Sequence, residues 1–154
     1  MKIEKKTICC FHRKTYISKL ITQFFCMAVL SLEGSPKTPG VLLDDSKGLL
    51  ELTGRSIPEN SIEFYKPILD WIEAYGASPK SETCVNIKLE YFNTSSSKCI
   101  LDVFKKLETV NGGGKTKITI NWFYEEDDED MQEAGEDYQS IIEIPFKIIA
   151  VEEL

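Results

Sequence analysis

The sequence predicts a single α/β domain, in which a mostly parallel sheet opens with a β-hairpin and helices separate the later strands. Two observations support this prediction. Short runs that alternate apolar and polar residues have the period of strands, and longer runs with apolar residues every three or four positions have the period of helices. Their order is β-β-α-β-α-β-α-β, which is typical of parallel strands joined by helical crossovers. A chain of 154 residues has room for one such domain.

The predicted strands are short and bounded by turn residues. They cover residues 41–43 and 49–52 of the hairpin, then 85–92, 116–124 and 145–151. The hairpin loop Asp44–Gly48 is polar at its start and has glycine at its end, which suits a tight turn that closes at positive φ. In the third strand, the side chains expected to face the core are Val85, Ile87, Leu89 and Tyr91.

Three helices are predicted between these strands. Asn60 and Glu63 have the spacing of an N-cap and its capping-box partner, so the first helix begins there. Pro67 lies inside that helix and is expected to kink it. The face of this helix expected to be buried consists of Ile62, Tyr65, Ile68, Leu69, Ile72 and Tyr75. The second helix is predicted from an apolar stripe with helical spacing: Ile100, Val103, Phe104 and Leu107. The third is predicted where the acidic run 125–137 leads into Tyr138, Ile141 and Ile142.

The N-terminal segment differs from the rest of the chain in charge. Residues 1–26 carry six Lys or Arg and one acid, whereas the remaining chain has 12 bases and 24 acids. A signal peptide is disfavoured because the polar pair 22–23 interrupts the apolar run. A membrane span is disfavoured because only 13 residues separate Lys19 from Glu33. We expect residues 1–26 to be a disordered extension that precedes a natural start at Met27, and 27–154 to be the domain.

Composition disfavours several classes of function. The only histidine, His12, lies in the basic head, so the body lacks a histidine for a catalytic dyad or a zinc site. The glycine run 112–114 lacks the spacing of a phosphate-binding loop, and the acidic run 125–130 lacks the glycine of a calcium loop. The acidic body disfavours nucleic-acid binding. We therefore expect no catalysis, no metal, no cofactor and no membrane span. The spacing of the five cysteines does not suggest a disulfide framework, so we expect the protein in the reducing cytoplasm.

Four hydroxyl residues, Thr94 to Ser97, lie where a predicted strand ends and a predicted helix begins. In one interpretation, Asn93 or Thr94 caps the helix and the serines are solvated turn residues. In another, one hydroxyl is phosphorylated, because the free N–H groups of a helix start can hold a phosphate. A hydrolase that uses Ser95 or Ser97 as a nucleophile is a third interpretation, but no base is visible to activate either.

Three segments of the chain resemble the SiaC family of bacterial regulatory phosphoproteins. They are GRSIPENSIEFYKPILDWI (Gly54–Ile72), LEYFNTSSSKCILDVFKKLE (Leu89–Glu108) and NWFYEEDDEDMQEAGEDY (Asn121–Tyr138), followed by Pro145-Phe146. The resemblance extends over residues 38–146 with the segments in the family's order. It implies a regulatory domain with a fold similar to the STAS domain of anti-sigma-factor antagonists.

The resemblance also implies how such a protein would be regulated. The threonine of the family's NTSS motif is Thr94 here, so Thr94 is the implied phosphorylation site, with Ser95 and Ser96 as alternatives. The implied neighbours of the phosphate are Asn93, Ser95, Ser96 and Ser97. The implied pathway is partner switching, in which a protein kinase and a PP2C-type phosphatase set the state of Thr94 and one state binds a diguanylate cyclase. An anti-sigma-factor antagonist that engages an anti-sigma kinase is the alternative.

Two groups of residues are candidates for partner contact. The resemblance alone suggests Arg55 and Tyr65, which lie near the first helix. Glu125, Glu126, Asp127 and Asp128 form an acidic segment that could steer a basic partner surface. The simpler interpretation of the acidic segment is a solvated loop that leads into a helix.

Overall fold

The structure, a computed structural model, describes residues 29–154; the predicted boundary near Met27 and the basic head lie outside these residues. Residues 29–154 form six strands and three helices. In chain order they are β1 (Leu30–Leu32), β2 (Gly40–Asp44), β3 (Leu49–Ser56), α1 (Ser61–Tyr75), β4 (Glu82–Phe92), α2 (Thr94–Gly112), β5 (Lys117–Glu125), α3 (Glu129–Ile141) and β6 (Phe146–Val151). The predicted element order is confirmed, and β1 is an additional strand that the sequence pattern did not predict.

All six strands form one sheet in the order β1-β2-β3-β4-β5-β6. β1, β2 and β3 pair antiparallel, whereas β3 to β6 pair parallel. The predicted mostly parallel sheet with an opening hairpin is therefore confirmed. One helix joins each pair of parallel strands. Such crossovers are right-handed, and the strands follow one another in order across the sheet. All three helices therefore lie on the same face of the sheet.

The opening hairpin turns as its residue types predict. Gly48 has φ of 63°, a conformation that favours glycine. The Asp44 carboxylate accepts hydrogen bonds from the backbone N–H groups of Ser46 and Lys47, at 3.0 and 3.3 Å. The hydrogen bond from the Ser46 hydroxyl is the main cause that lowers the pKa of Asp44 below its usual value. This loop closes the hairpin at the edge of the sheet where the parallel strands begin.

The hydrophobic core lies between the sheet and the helices. Alternate residues of the central strands face it, and they are Leu50, Leu52, Val85, Ile87, Leu89, Ile118, Ile120 and Trp122. On the opposite face of the sheet the side chains are partly exposed, and their polar groups pair with one another. Lys88 Nζ lies 2.9 Å from Glu51 Oε2, and Asn121 Nδ2 donates to Asn86 Oδ1 at 2.9 Å.

The first helix differs from the prediction at its N-terminal end. Ile62 was expected to be buried, but its side chain is 78% exposed. The buried face is centred on Tyr65, Ile68 and Ile72, and Ser61 occupies the buried position of the first turn instead. Ile62 therefore points away from the sheet. The helix continues through Pro67 as one element of 15 residues.

The predicted alternation of β4 is interrupted near its end. The pairing register with β3 shifts by one residue, because Gly54 pairs with Leu89 whereas Arg55 pairs with Tyr91. Such a bulge turns the side chains that follow it to the other face of the sheet. Tyr91 was expected in the core but is 48% exposed, and Phe92 takes the inward side. Among the described residues, no helix is long and apolar enough to span a bilayer.

Candidate functional site

Thr94 lies at the edge of the sheet where the parallel strands end. It is the first residue of α2, two positions after the end of β4, and its side chain is exposed. Asn93 is the N-cap, because its Oδ1 accepts from the backbone N–H of Ser96 at 2.8 Å. Thr94 is therefore free of the capping role that one interpretation of the sequence assigned to it.

The four hydroxyls of the run have different environments. Thr94 and Ser95 are exposed, so an enzyme can reach both. Ser96 is fully buried, and its Oγ accepts from Ser56 Oγ at 2.9 Å. The prediction of Ser96 as an alternative phosphorylation site is wrong in this structure, because a kinase cannot reach a hydroxyl enclosed by the core. The interpretation of all the serines as solvated turn residues is also wrong, because Ser96 is buried.

Ser97 joins α2 to α3. The Tyr138 hydroxyl donates to the Ser97 carbonyl at 2.9 Å, and Ser97 Oγ lies 2.9 Å from the same hydroxyl oxygen. Since the Tyr138 proton is used by the carbonyl, Ser97 Oγ is the donor in the second bond. Burial raises the pKa of Tyr138, so its hydroxyl stays protonated and can serve as donor. The first turn of α2 is thereby fixed on the side that faces α3.

Tyr65 is not a surface residue, so its predicted role in partner contact is wrong in this structure. Its side chain is fully buried because it lies on the core face of α1. Its hydroxyl lies 2.8 Å from Ser56 Oγ. Burial raises the pKa of Tyr65, so its hydroxyl stays protonated.

Arg55 and Tyr91 form an exposed pair on β3 and β4. The Arg55 guanidinium carbon lies 5.4 Å from the centroid of the Tyr91 ring, within the range of a cation–π contact. No carboxylate within residues 29–154 pairs with Arg55. Its hydrogen-bond donors are thus not taken up by an acid of the described domain.

The acidic segment divides into structural and exposed residues. Asp128 is the N-cap of α3, since its Oδ1 accepts from Met131 N at 3.0 Å. Glu125 is partly buried at the end of β5, and its Oε1 lies 3.4 Å from Leu154 N. Glu126 and Asp127 are exposed. Because β4 and β5 are parallel neighbours, this segment and Thr94 lie at the same edge of the sheet.

The start of α2 has the electrostatic properties of an anion site. The first N–H groups of α2 and its dipole can hold an anion on Thr94 or Ser95. Within residues 29–154, no group of three or more His, Cys, Asp or Glu residues is placed to hold a metal ion. The sequence did not indicate the buried hydroxyls Ser56 and Ser61. Ser61 could have been inferred from its spacing to Tyr65, four residues later on the same helical face.

The chain is similar in sequence to a family of regulatory proteins. The model of the SiaC family of regulatory phosphoproteins matches residues 32–151. An uncharacterised protein of Pseudomonas aeruginosa strain UCBPP-PA14 is 32% identical over 127 residues, which cover 82% of this chain and 100% of that protein.

Solved structures of SiaC from Pseudomonas aeruginosa have the same fold. A SiaC structure matches with a TM-score of 0.74 and 30% identity, covering 81% of this chain and 100% of the other. The apo-SiaC structure matches with a TM-score of 0.73 and 32% identity, covering 80% and 100%. A chain from the complex of the diguanylate cyclase SiaD with its activator SiaC matches with a TM-score of 0.74 and 32% identity, covering 79% and 99%.

Proposed function

Because the chain belongs to the SiaC family of regulatory phosphoproteins, we propose that it binds a diguanylate cyclase and that reversible phosphorylation of Thr94 controls this binding. In this proposal the chain is not itself an enzyme. A protein kinase adds the phosphate and a PP2C-type phosphatase removes it, both in the cytoplasm. The observation that carries the proposal is an exposed threonine at a helix start, in a chain that matches one from a cyclase–activator complex.

The environment of Thr94 leaves a phosphate accessible and favours its charge. The side chain is exposed, so the kinase and the phosphatase can both reach its oxygen. The capping role belongs to Asn93, so the Thr94 hydroxyl is not itself part of the cap. A phosphate adds about −1.5 to −2 charge at neutral pH, and the helix dipole favours that charge at this position.

The surface around Thr94 has the composition of a protein-binding site. Arg55 and Tyr91 are exposed at the ends of β3 and β4, and arginine and tyrosine are common anchors in protein interfaces. Ile62 is exposed in the first turn of α1. Glu126 and Asp127 give the edge a negative charge that can steer a basic partner. A phosphate on Thr94 would add charge inside this surface and would weaken docking by repulsion and desolvation.

The first experiment tests the modification itself. The purified chain is incubated with the cognate kinase and ATP, and the phosphorylated residue is identified by mass spectrometry. We expect phosphate on Thr94, no phosphate on a Thr94→Ala variant, and normal modification of a Ser95→Ala variant. Phosphate on Ser95 with Thr94 unmodified would contradict the assignment, as would the absence of phosphate from the whole run.

The second part of the test measures binding to the cyclase by calorimetry. Thr94→Ala is expected to bind as the unmodified protein does, because it removes only an exposed hydroxyl. Phosphorylated protein is expected to bind at least about tenfold more weakly, which corresponds to about 1.4 kcal/mol. Thr94→Asp, which carries about half the charge, is expected to fall between the two. Equal affinity of the phosphorylated and unmodified proteins would contradict control by Thr94.

A further inference from the structure

Four buried hydroxyls connect the start of α2 with the end of β3 and the start of α1. Ser56 Oγ lies 2.8 Å from the Tyr65 hydroxyl and donates to Ser96 Oγ at 2.9 Å. Ser96 Oγ lies 3.4 Å from Ser61 Oγ. We call Tyr65, Ser56, Ser96 and Ser61 the buried hydroxyl chain.

The bonds from Tyr65 through Ser56 to Ser96 run in one direction. A serine hydroxyl has one proton, and Ser56 gives its proton to Ser96. The Tyr65 hydroxyl must therefore be the donor to Ser56, whereas either oxygen can be the donor between Ser96 and Ser61. A displacement of one oxygen thus changes the geometry of the bonds on both sides of it.

The surroundings of these hydroxyls are shielded from solvent. Ser56, Tyr65 and Ser96 are fully buried, and Ser61 is 5% exposed, so bulk water does not reach them. Every buried side-chain nitrogen and oxygen in residues 29–154 has a hydrogen-bond partner. A buried hydroxyl without a partner destabilises the folded state. Loss of a bond within the buried hydroxyl chain is therefore unfavourable unless its members move together.

The modification site lies next to this chain. Ser96 is two residues after Thr94, and its backbone N–H is the group that Asn93 holds at 2.8 Å. A phosphate on Thr94 would bring three oxygen acceptors to the same helix start, where they would compete with Asn93 for this donor. A displacement of Ser96 would change its contact with Ser61 and its bond to Ser56, which in turn bonds to Tyr65.

We propose that the buried hydroxyl chain transmits the phosphorylation state of Thr94 to the first turn of α1, which carries the exposed side chain of Ile62. This inference rests on the proposed phosphorylation of Thr94 and adds the path by which the modification alters a neighbouring part of the surface. Phosphorylation would then act in two ways, by its own charge at Thr94 and by loosening the α1 start.

The test uses the full chain with phosphothreonine incorporated at position 94 during translation, so it does not depend on the kinase. Hydrogen exchange is followed at the backbone amides of Glu63, Phe64 and Tyr65. We expect phosphorylation to speed exchange there by about threefold or more, because the first turn of α1 loses a fixed partner. We expect the same response in Ser95→Ala and little or no response in Ser96→Ala, which removes the central hydroxyl.

A second pair of variants covers the case in which Ser96→Ala does not fold. Tyr65→Phe removes one end of the buried hydroxyl chain and is expected to reduce the response. Tyr75→Phe is its matched control, because Tyr75 is also a buried tyrosine of α1 but bonds to Thr83 at the opposite edge of the sheet. Tyr75→Phe should show the full increase in hydrogen exchange at the start of α1 on phosphorylation.

Two results would overturn the inference. One is unchanged hydrogen exchange in the wild-type protein on phosphorylation. The other is an undiminished increase in exchange in the Ser96→Ala and Tyr65→Phe variants. Cyclase affinity measured on the same samples separates this inference from the proposed function. If phosphorylation weakens cyclase binding while exchange in α1 is unchanged, Thr94 controls binding but the hydroxyl chain does not transmit its state.

Discussion

At the scale of single residues, the packing of α3 depends on the absence of a side chain at Gly135. A Cβ built on Gly135 would lie 2.6 Å from Cδ1 and 2.8 Å from Nε1 of Trp122. The indole cannot move away freely, because it is fully buried and its N–H donates to the Met131 carbonyl at 2.9 Å. Gly135 therefore sets how closely α3 approaches β5.

We expect Gly135→Ala to destabilise the domain by about 1–3 kcal/mol, the usual range for overpacking of a core. This is opposite in sign to the effect of the same substitution at an open position in a helix, where alanine is favoured by up to about 1 kcal/mol. Gly112→Ala is the matched control, since a Cβ there meets nothing within 4 Å. Chemical denaturation measures the free energy of unfolding of both variants. Equal stability of the two variants would contradict the tight contact.

The hydroxyl run shows what residue types can and cannot reveal. The sequence predicted a helix start at Asn93–Ser97 with exposed hydroxyls, and Thr94 and Ser95 meet that description. It did not predict that Ser96 is buried, because its partners lie 35 and 40 positions earlier in the chain. Contacts between distant segments depend on the packing of helices, which local patterns do not specify.

At the scale of elements, asparagine caps both α1 and α2, but in different environments. Asn60 Oδ1 accepts from Glu63 N at 3.2 Å in an exposed turn. Asn93 Oδ1 accepts from Ser96 N at 2.8 Å beside the fully buried Ser96 side chain. Water can replace the cap at the start of α1 more easily than at the start of α2.

We therefore expect Asn93→Ala to destabilise the domain more than Asn60→Ala. Loss of an N-cap costs about 0.5–2 kcal/mol, and Asn93 should fall at the upper end and Asn60 at the lower end of that range. Asn93→Asp keeps an oxygen acceptor and should retain most of the stability. Urea unfolding curves measure the three variants. Equal losses for the two alanine variants would mean that burial beside Ser96 has no influence on the cap.

The helices and strands were largely predictable, whereas irregularities within them were not. Periodicity predicted the element order, because it reports which face of each element is buried. The three-residue strand β1 is too short to show a period. The register shift at Gly54 depends on how β3 meets β4, and it moves Tyr91 to the surface. Ile62 is exposed because Ser61 takes the buried position in the first turn of α1, which the apolar character of Ile62 does not reveal.

At the scale of the whole molecule, charge is distributed unevenly. The full chain has a net charge of −7, although its first 26 residues carry an excess of bases. Within the described domain, acids gather at the edge of the sheet that carries Thr94. Of the four residues of the acidic segment, Glu126 and Asp127 are exposed, whereas Glu125 and Asp128 contact Leu154 and Met131. Only the first two can be neutralised without loss of a structural hydrogen bond.

If this field steers the proposed cyclase partner, Glu126→Gln combined with Asp127→Asn should slow association and reduce its dependence on salt. Electrostatic steering acts on the encounter before contact, so the dissociation rate should change much less. Stopped-flow measurements at about 10 mM salt give the largest effect, because the Debye length is then about 30 Å and charges act over a longer distance. We expect a decrease of at least about twofold in the association rate there.

The control for this prediction removes the same charge from the opposite edge of the sheet. Asp45→Asn combined with Glu82→Gln neutralises two acids at the edge where the parallel strands begin, far from Thr94. Because a net-charge effect would slow association equally in both double variants, the difference between them isolates the local field around Thr94. If the two variants associate at the same rate at low salt, the acidic segment does not steer the partner, and its exposed residues are a solvated loop before α3.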